Sequence, residues 1–309
     1  EALDRAADPL ASGIYTADPA HLSLQATMPR FLVMERVHRS LILALRAQAR
    51  HNQAVARGSG ARYALFQSHQ RGMGGLVEDI AAKLPPGVLR LGTAVEGLTR
   101  DSTGWQLRVG GDTLRANAVI VATPAHESAR LLAPHDAALA NEIHAIRHAS
   151  SVTVTFSFPT SAVGALPGFG FVVPFVEHRQ LIACTFASRK FPGRAPAGWE
   201  LLRCFLGGVR QADLVAKPDA ELIAIARREL SDLLGVRGEP GLVRVTRYPN
   251  AMPQYDLGHL DRVQRIEQAT AQLPDLALAG NAYRGVGVPD CVHSGESAAD
   301  QLWTGRTAR

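Results

Sequence analysis

The sequence predicts a mixed α/β fold in which a β-rich segment interrupts a domain of the nucleotide-binding type. Three observations support this prediction. The apolar run Leu276–Ala279 is followed by a glycine-rich turn and by a helix that Pro289 and Asp290 open. The run Ala118–Ala122 is fully apolar and ends in a small-residue turn, as a buried parallel strand does where it reaches a ligand crevice. Between them, residues 126–246 hold several short alternating runs that are typical of strands.

Composition narrows the class of protein. The chain has 309 residues, of which 46% are hydrophobic and 20% charged, as in a soluble globular enzyme with two domains or one large domain. The three cysteines are scattered and lack CxxC spacing, which favours a reducing, cytoplasmic location over a disulfide framework or a zinc site. No apolar run approaches the ~18–20 residues of a membrane span. The net charge of +5 favours acidic ligands or anionic lipid, although an ordinary solvated surface also explains it.

The first predicted element is helical and covers residues 20–57. Its apolar side chains recur at helical spacing with arginines between them, so it is either a partly buried surface helix, which we favour, or a basic amphipathic face for a membrane surface. The apolar positions are Phe31, Leu32, Met34, Val37, Leu41, Ile42 and Leu45, and the arginines are Arg36, Arg39, Arg46 and Arg50.

The next blocks alternate short helices and strands. A second block starts at Tyr63 and contains an amphipathic helix that the Pro85-Pro86-Gly87 turn stops. The Gly110-Gly111-Asp112 turn predicts a hairpin. The predicted helices are Leu76–Leu84, His126–Leu132, Asp219–Leu234 and Leu260–Ala271, and the predicted strands are Val88–Leu91, Ala94–Thr99, Trp105–Val109, Ala116–Ala122, Ser151–Phe158, Phe169–Pro174, Leu181–Phe186, Trp199–Leu206 and Leu242–Arg247.

Four segments follow from these blocks. We predict a helical segment at 1–62, the first part of the nucleotide-binding domain at 63–125, a β-rich substrate domain at 126–246 and the second part of the nucleotide-binding domain at 247–309. The glycine turn in the last segment suits a large anionic cofactor, because glycine lets the backbone approach a ligand and a helix N-terminus favours negative charge. An ordinary tight turn between a strand and a helix remains the alternative.

Other catalytic patterns are absent from the sequence. It contains no GxSxG, GxxxxGK[ST] or HExxH motif, and we assign no catalytic side chain. His144 and His148 have the spacing of a shared metal ligand pair, but no carboxylate completes the set, so we favour a surface helix and expect no metal. Three cations in the run Arg189–Arg194 could hold carboxylates or form a solvated loop.

A longer series of motifs carries a family resemblance. The chain resembles the flavin-dependent protoporphyrinogen and coproporphyrinogen oxidases of haem biosynthesis, within the wider group of amine-oxidase-like flavoproteins. The matching pieces, in order, are Pro9–Tyr15 with Asp18-Pro19, Leu22–Leu24, Ser40–Ile42, Gly74–Leu76, Ala118–Pro124, Gly168–Pro174, Lys190–Pro196, Leu206–Gly208, Met252–His259 and Gly280–Cys291.

One departure from the family pattern is clear. Members begin with a βαβ unit whose GxGxxG loop holds the pyrophosphate of FAD, and this sequence has no such loop. The chain therefore resembles roughly the C-terminal two-thirds of a member. We expect the chain alone to bind FAD poorly, and to aggregate, dimerise or depend on a separate polypeptide, because the strand Ala118–Ala122 would lack a neighbour.

The resemblance implies a function and a set of site residues. It implies FAD as cofactor and oxidation of a porphyrinogen to the porphyrin, with hydride passing to the flavin and O2 giving hydrogen peroxide. From the residues alone, Val95, Val288, Phe169 and Phe205 could instead be ordinary core residues. The implied cofactor residues are Val95, Tyr248, Gly280, Asn281, Gly285, Val286, Gly287 and Val288, and the implied substrate residues are Phe169, Val172 and Phe205.

Several expectations concern the substrate and partners. We prefer protoporphyrinogen IX, with coproporphyrinogen III, an amine oxidase or carotenoid desaturase reaction, and a non-catalytic fragment as alternatives. The two porphyrinogens differ in the number of propionates that the pocket must pair with cations. The candidate cations are Arg189, Lys190, Arg194 and Arg203. Loose association with the cytoplasmic membrane surface and a homodimer are left open, and we expect no nucleic-acid partner.

Overall fold

A computed structural model describes residues 1, 3–56 and 67–307. The predicted boundary between residues 62 and 63, and the start of the second block at Tyr63, lie outside the described residues. The helices in chain order are α1 (Asp8–Tyr15), α2 (Leu24–Thr27), α3 (Pro29–His38), α4 (Leu41–Ala56), α5 (Met73–Ala81), α6 (Ala125–Leu132), α7 (Ala137–His144), α8 (Thr160–Val163), α9 (Ala187–Lys190), α10 (Asp219–Leu234), α11 (His259–Thr270) and α12 (Val288–Thr307).

The strands form three separate sheets in the described part of the chain. One is a small antiparallel meander, one is a parallel pair, and one is a five-stranded sheet. The strands are β1 (Val95–Asp101), β2 (Gly104–Val109), β3 (Asp112–Ala116), β4 (Val119–Val121), β5 (His148–Pro159), β6 (Gly170–Val172), β7 (Ala183–Phe186), β8 (Trp199–Gly207), β9 (Leu242–Pro253) and β10 (Leu276–Leu278).

The chain divides into two compact units that it enters more than once. The first unit comprises residues 1–20, 28–84 and 149–250, and the second comprises residues 21–27, 85–148 and 251–309. The mixed helix-and-sheet class predicted from the sequence is confirmed, with a β-rich segment between two parts of the unit that holds the glycine turn. The predicted segment limits at 125/126 and 246/247 remain predictions.

In the first unit the five-stranded sheet has the order β6-β7-β8-β5-β9. Strands β5, β7 and β8 are antiparallel neighbours, which places β8 at the centre. Alternate side chains point to opposite faces, and one face packs on α10. This core contains, among others, Val152, Val154, Phe156, Phe158, Leu202, Cys204 and Leu206 of the sheet and Leu222, Ile225 and Leu230 of the helix.

Helix α10 has the bounds that the sequence predicts. Asp219 and Glu221 lie in its first turn, where carboxylates stabilise the positive end of the helix dipole. Gly235 ends it in the left-handed conformation with φ of 66°, which glycine adopts without a steric cost. Local signals were therefore sufficient for this element.

In the second unit β4 and β10 form the parallel pair. Leu276 is paired with Val119 and Leu278 with Val121, which confirms the parallel strand predicted in the run Ala118–Ala122. Strands β2 and β3 form the hairpin predicted at the glycine turn. One face of the pair packs on α6, α7 and α11, while Ala277 and Ala279 on the other face pack on Ala298 of α12.

Three local predictions were wrong. No strand forms at Val88–Leu91, which pairs with no strand of the described part of the chain and leaves Leu91 79% exposed, because a short run becomes a strand only beside a partner strand. His144 ends α7 and His148 begins β5, so the two do not share a helix. The helix predicted over 20–57 is divided into α2, α3 and α4. Its apolar positions Phe31, Leu32 and Met34 are half-buried as predicted, whereas Leu41, Ile42 and Leu45 are exposed.

The described residues contain neither a cluster of metal ligands nor a helix that could span a membrane. No group of three or more histidine, cysteine, aspartate or glutamate side chains there could hold a metal ion. Within the same ranges, no helix combines the length and the apolar character needed to cross a membrane.

Candidate functional site

The glycine turn joins β10 to α12 and needs glycine at two positions. Gly280 has φ of 122° and Gly285 has φ of 154°, conformations that side chains with a Cβ rarely adopt. A Cβ on Gly280 would meet no heavy atom within 4 Å among the described residues, so open space lies in front of the backbone there. A Cβ on Gly285 would lie only 2.5 Å from the Cβ and Cγ of Asp290. Packing within the turn itself therefore requires glycine at position 285.

Asp290 closes the start of helix α12. Its Oδ2 accepts a hydrogen bond from the Gly287 amide at 3.2 Å, and the Cys291 amide donates to the Gly287 carbonyl at 3.0 Å. The amide of Gly280 donates to the Ser294 hydroxyl at 3.0 Å, which ties the end of β10 to the same helix. The helix and the turn therefore hold each other, and the helix opens at Val288 with Pro289 in its first turn, as the sequence predicts.

Tyr255 braces the turn from outside it. Its hydroxyl donates to the Asn281 carbonyl at 2.7 Å and accepts from the Gly285 amide at 2.8 Å, so one oxygen links the two ends of the segment. The Tyr255 ring is 1% exposed and stacks on the His259 ring with centroids 4.0 Å apart. Tyr255 belongs to the Met252–His259 motif, to which the sequence analysis assigned no role.

His259 supports the same arrangement from the start of α11. Its Nε2 lies 2.8 Å from the Tyr283 carbonyl, and because a carbonyl only accepts, Nε2 carries the proton. Burial lowers the pKa of His259, so the neutral ring is favoured. Burial also raises the pKa of the Tyr283 hydroxyl to about 12. His259 is thus tied to the turn through the backbone carbonyl of Tyr283.

The predicted cofactor residues of the second unit differ in exposure. Val286 and Gly287 are half-buried, and Val288 is 51% exposed at the start of α12. Val95 lies at the start of β1, packs against the core, and has its carbonyl bound by the Arg130 guanidinium at 3.2 Å. The turn thus presents the exposed side chain of Val288 and the half-buried side chain of Val286 at a helix N-terminus. The roles assigned to these residues stay predictions.

Tyr248 belongs to the first unit. It lies in β9 and is 44% exposed, so its ring is accessible to a ligand. Its assignment beside a flavin also stays a prediction.

A cavity of about 360 Å³ lies between α11 and α12 in the second unit. Its walls combine the apolar side chains of Ile266 and Leu278 with an ion pair between Arg284 and Glu267, whose closest atoms are 2.6 Å apart. The charges of Arg284 and Glu267 therefore compensate each other, while Asp290 and His293 also line the cavity.

The predicted substrate residues lie in the first unit, and two of them share one sheet face. Val172 of β6 is opposite Ala183 of β7, Ala183 is opposite Phe205 of β8, and Phe205 is opposite Thr153 of β5. Directly opposed residues point to the same face, and this is the face opposite the core. Phe169 precedes β6 and is 50% exposed. Phe205 is half-buried between the buried residues Thr153 and Ala183, and the substrate roles assigned to Phe169 and Phe205 stay predictions.

Comparison with known proteins gives a family match over nearly the whole chain. The model of the family described as "Flavin containing amine oxidoreductase" matches residues 1–303.

Individual relatives carry more specific names. The chain is 34% identical to coproporphyrinogen III oxidase of Bacillus subtilis (strain 168) over 98% of its own length and 65% of that relative. It is 30% identical to protoporphyrinogen oxidase of Homo sapiens over 97% of its own length and 65% of that relative. A provisionally assigned protoporphyrinogen oxidase from Exiguobacterium sp. 255-15 superposes with a TM-score of 0.82 at 30% identity, covering 97% of this chain and 63% of that one. The chain thus spans less than two thirds of the length of these relatives.

Proposed function

This chain belongs to the family of flavin containing amine oxidoreductases, and from this premise we propose that the protein containing it oxidises a porphyrinogen to the porphyrin, with FAD as cofactor and O2 as acceptor. The resemblance predicted from the sequence is confirmed, and the predicted flavin and oxidoreductase class agree with the family description. The reaction is a proposal for the whole protein, because the chain spans only part of its relatives.

The observation that carries the proposal is the 34% identity to a coproporphyrinogen III oxidase across 98% of the chain. A second protein of the same name, from Propionibacterium freudenreichii, is 35% identical over 96% of the chain. The plant protoporphyrinogen oxidases are less similar, at 25% identity for that of Nicotiana tabacum. These values favour coproporphyrinogen III, which the sequence analysis held as an alternative, over protoporphyrinogen IX, which it preferred.

The glycine turn fits the flavin. The open space in front of Gly280 would let a flat ring approach the backbone, and the exposed side chain of Val288 would offer it an apolar contact. The N-terminus of α12 favours negative charge nearby. When bound, the flavin supplies the chemistry of hydride removal. The chain's own contribution is positional: the Tyr255 hydroxyl fixes both ends of the turn, and Asp290 fixes the helix start.

The reaction is tested with the whole protein and three substrates. We expect porphyrin absorbance and fluorescence to appear from coproporphyrinogen III, more slowly from protoporphyrinogen IX, and no oxidation of a primary amine. Heat-inactivated protein measures the spontaneous oxidation of both porphyrinogens. A protein that holds flavin yet oxidises only the amine would contradict the proposal and favour an amine oxidase.

We also propose a cytoplasmic location with loose binding to an anionic membrane surface. Helices α3 and α4 expose apolar side chains, with Val37 68% and Ile42 65% exposed, beside the exposed guanidinium groups of Arg36 and Arg39. Exposed apolar side chains flanked by arginine suit the boundary of an anionic bilayer.

Flotation with liposomes tests this surface. We expect the protein to float with vesicles containing anionic lipid at low salt and to be released at high salt, because salt screens the attraction. Replacing Val37 and Ile42 together by serine should abolish flotation. Equal flotation of the unchanged protein and the double variant would contradict the proposal. A concentration-dependent increase in size by gel filtration that the double variant loses would instead assign the surface to a homodimer.

A further inference from the structure

One face of the five-stranded sheet carries a single cation among apolar, small and hydroxyl side chains. We call the non-core face the side opposite the core, made by the alternate positions of β5, β6, β7 and β8. At these paired positions Arg203 is the one charged residue. The others are Ser151, Thr153, Thr155, Ser157, Pro159, Gly170, Val172, Ala183, Thr185, Trp199, Leu201, Phe205 and Gly207.

Arg203 is exposed and has no acidic partner in the part of the chain that the structure describes. It lies on the central strand β8, opposite Thr155 on one side and Thr185 on the other. Its Nε donates to the Thr155 hydroxyl at 3.4 Å, a long hydrogen bond to a neutral group. No carboxylate lies within 4.0 Å of its guanidinium among residues 1, 3–56 and 67–307. A guanidinium presented in this way retains most of its capacity to bind an anion.

Arg189 is excluded as an equivalent site because it already has a partner. It donates from Nε to Glu200 at 2.7 Å, and Glu200 is only 5% exposed. Glu200 occupies a core-face position of β8, so this pair lies on the other side of the sheet from the non-core face.

Arg194 and Lys190 are also directed elsewhere. The Arg194 guanidinium donates to the Ser68 hydroxyl at 2.8 Å and to the His69 carbonyl at 2.6 Å, which ties it to that loop. Lys190 follows Arg189 in α9, and its Nζ lies 5.7 Å from the centre of the Phe191 ring. Of the four candidate cations, Arg203 alone occupies the face that carries Val172 and Phe205.

We propose that Arg203 binds a propionate of the porphyrinogen and thereby favours coproporphyrinogen over protoporphyrinogen. The inference rests on the proposed function. Arg203 and Phe205 project from the same face of β8 about 7 Å apart, so an apolar macrocycle on Phe205 and Val172 would bring a peripheral carboxylate to the guanidinium. Coproporphyrinogen carries propionates where protoporphyrinogen carries vinyl groups, and a vinyl group leaves the guanidinium without an anion. Thr155 and Thr185 supply flanking hydroxyl groups.

The test measures both substrates on variants of the whole protein. For Arg203→Leu we expect the ratio of kcat/KM for coproporphyrinogen to that for protoporphyrinogen to fall about tenfold, mainly through KM, since a charge-assisted hydrogen bond is lost. Arg203→Lys keeps the charge and should restore part of the ratio. Arg115→Leu, at an exposed arginine of the separate β3 strand, should leave the ratio as in the unchanged protein. An Arg203→Leu protein with an unchanged ratio would overturn the proposal.

Binding of the product porphyrins separates this inference from the reaction itself. Fluorescence titration should show that Arg203→Leu weakens coproporphyrin binding more than protoporphyrin binding, and that added salt reduces the difference between the unchanged protein and the variant. If the unchanged protein oxidises neither porphyrinogen, but Arg203→Leu still weakens coproporphyrin binding more than protoporphyrin binding, the proposed reaction fails and the carboxylate site stands. If oxidation proceeds and both porphyrins bind the variant equally well, the Arg203 proposal fails and the reaction stands.

Discussion

Replacing Gly285 by alanine is expected to unfold the glycine turn and to abolish stable flavin binding by the whole protein. The residue has φ of 154°, and a Cβ there would stand 2.5 Å from both Cβ and Cγ of Asp290. Backbone strain of this kind costs about 1–3 kcal/mol, and the collision adds to it because the Cβ of Asp290 is fixed in place by the backbone of α12. We expect a total loss above about 3 kcal/mol.

Two other glycines provide matched controls for this prediction. Gly280→Ala meets the strained φ of 122° but no atom within 4 Å, so it should cost only the backbone term of about 1–3 kcal/mol. Gly295→Ala lies inside α12 with no atom within 4 Å, and it should be neutral or stabilising by about 0.5–1 kcal/mol. Melting temperature and retained flavin absorbance should rank the variants in this order. A Gly285→Ala protein as stable as the Gly295→Ala protein would contradict the account of the turn.

The second large effect is expected for Tyr255→Phe. This change removes the hydroxyl that donates to Asn281 and accepts from Gly285, while the ring stacked on His259 is kept. Each lost hydrogen bond costs about 0.5–1.5 kcal/mol, so the turn should lose roughly 1–3 kcal/mol of support. If flavin binding must then order the turn, the flavin dissociation constant rises about 5- to 150-fold.

The measurement is a flavin titration by fluorescence quenching on the reconstituted whole protein. Tyr15→Phe serves as the control, since Tyr15 is also buried but belongs to the other unit. We expect Tyr15→Phe to change the melting temperature without a comparable change in flavin affinity. An unchanged flavin dissociation constant for Tyr255→Phe, at unchanged melting temperature, would show that the turn does not depend on the brace.

The sequence by itself determined the elements whose conformation depends on residues close together along the chain. Helix α10 has its predicted bounds because its acidic first turn and Gly235 are local signals. The β2–β3 hairpin follows from its glycine turn. The start of α12 likewise follows from Pro289. In each case the free energy that defines the element comes mainly from contacts within a few residues.

Only the tertiary structure decided the features that join distant residues. The brace from Tyr255 to the glycine turn is invisible in the sequence, because the hydrogen-bonded groups lie far apart along the chain. The sequence offered four candidate cations with equal claim, and only strand register placed Arg203 beside Phe205 while Arg189 met Glu200. The physical reason is that register and pairing are set by long-range packing, and a shift of one residue would move every side chain of β8 to the other face.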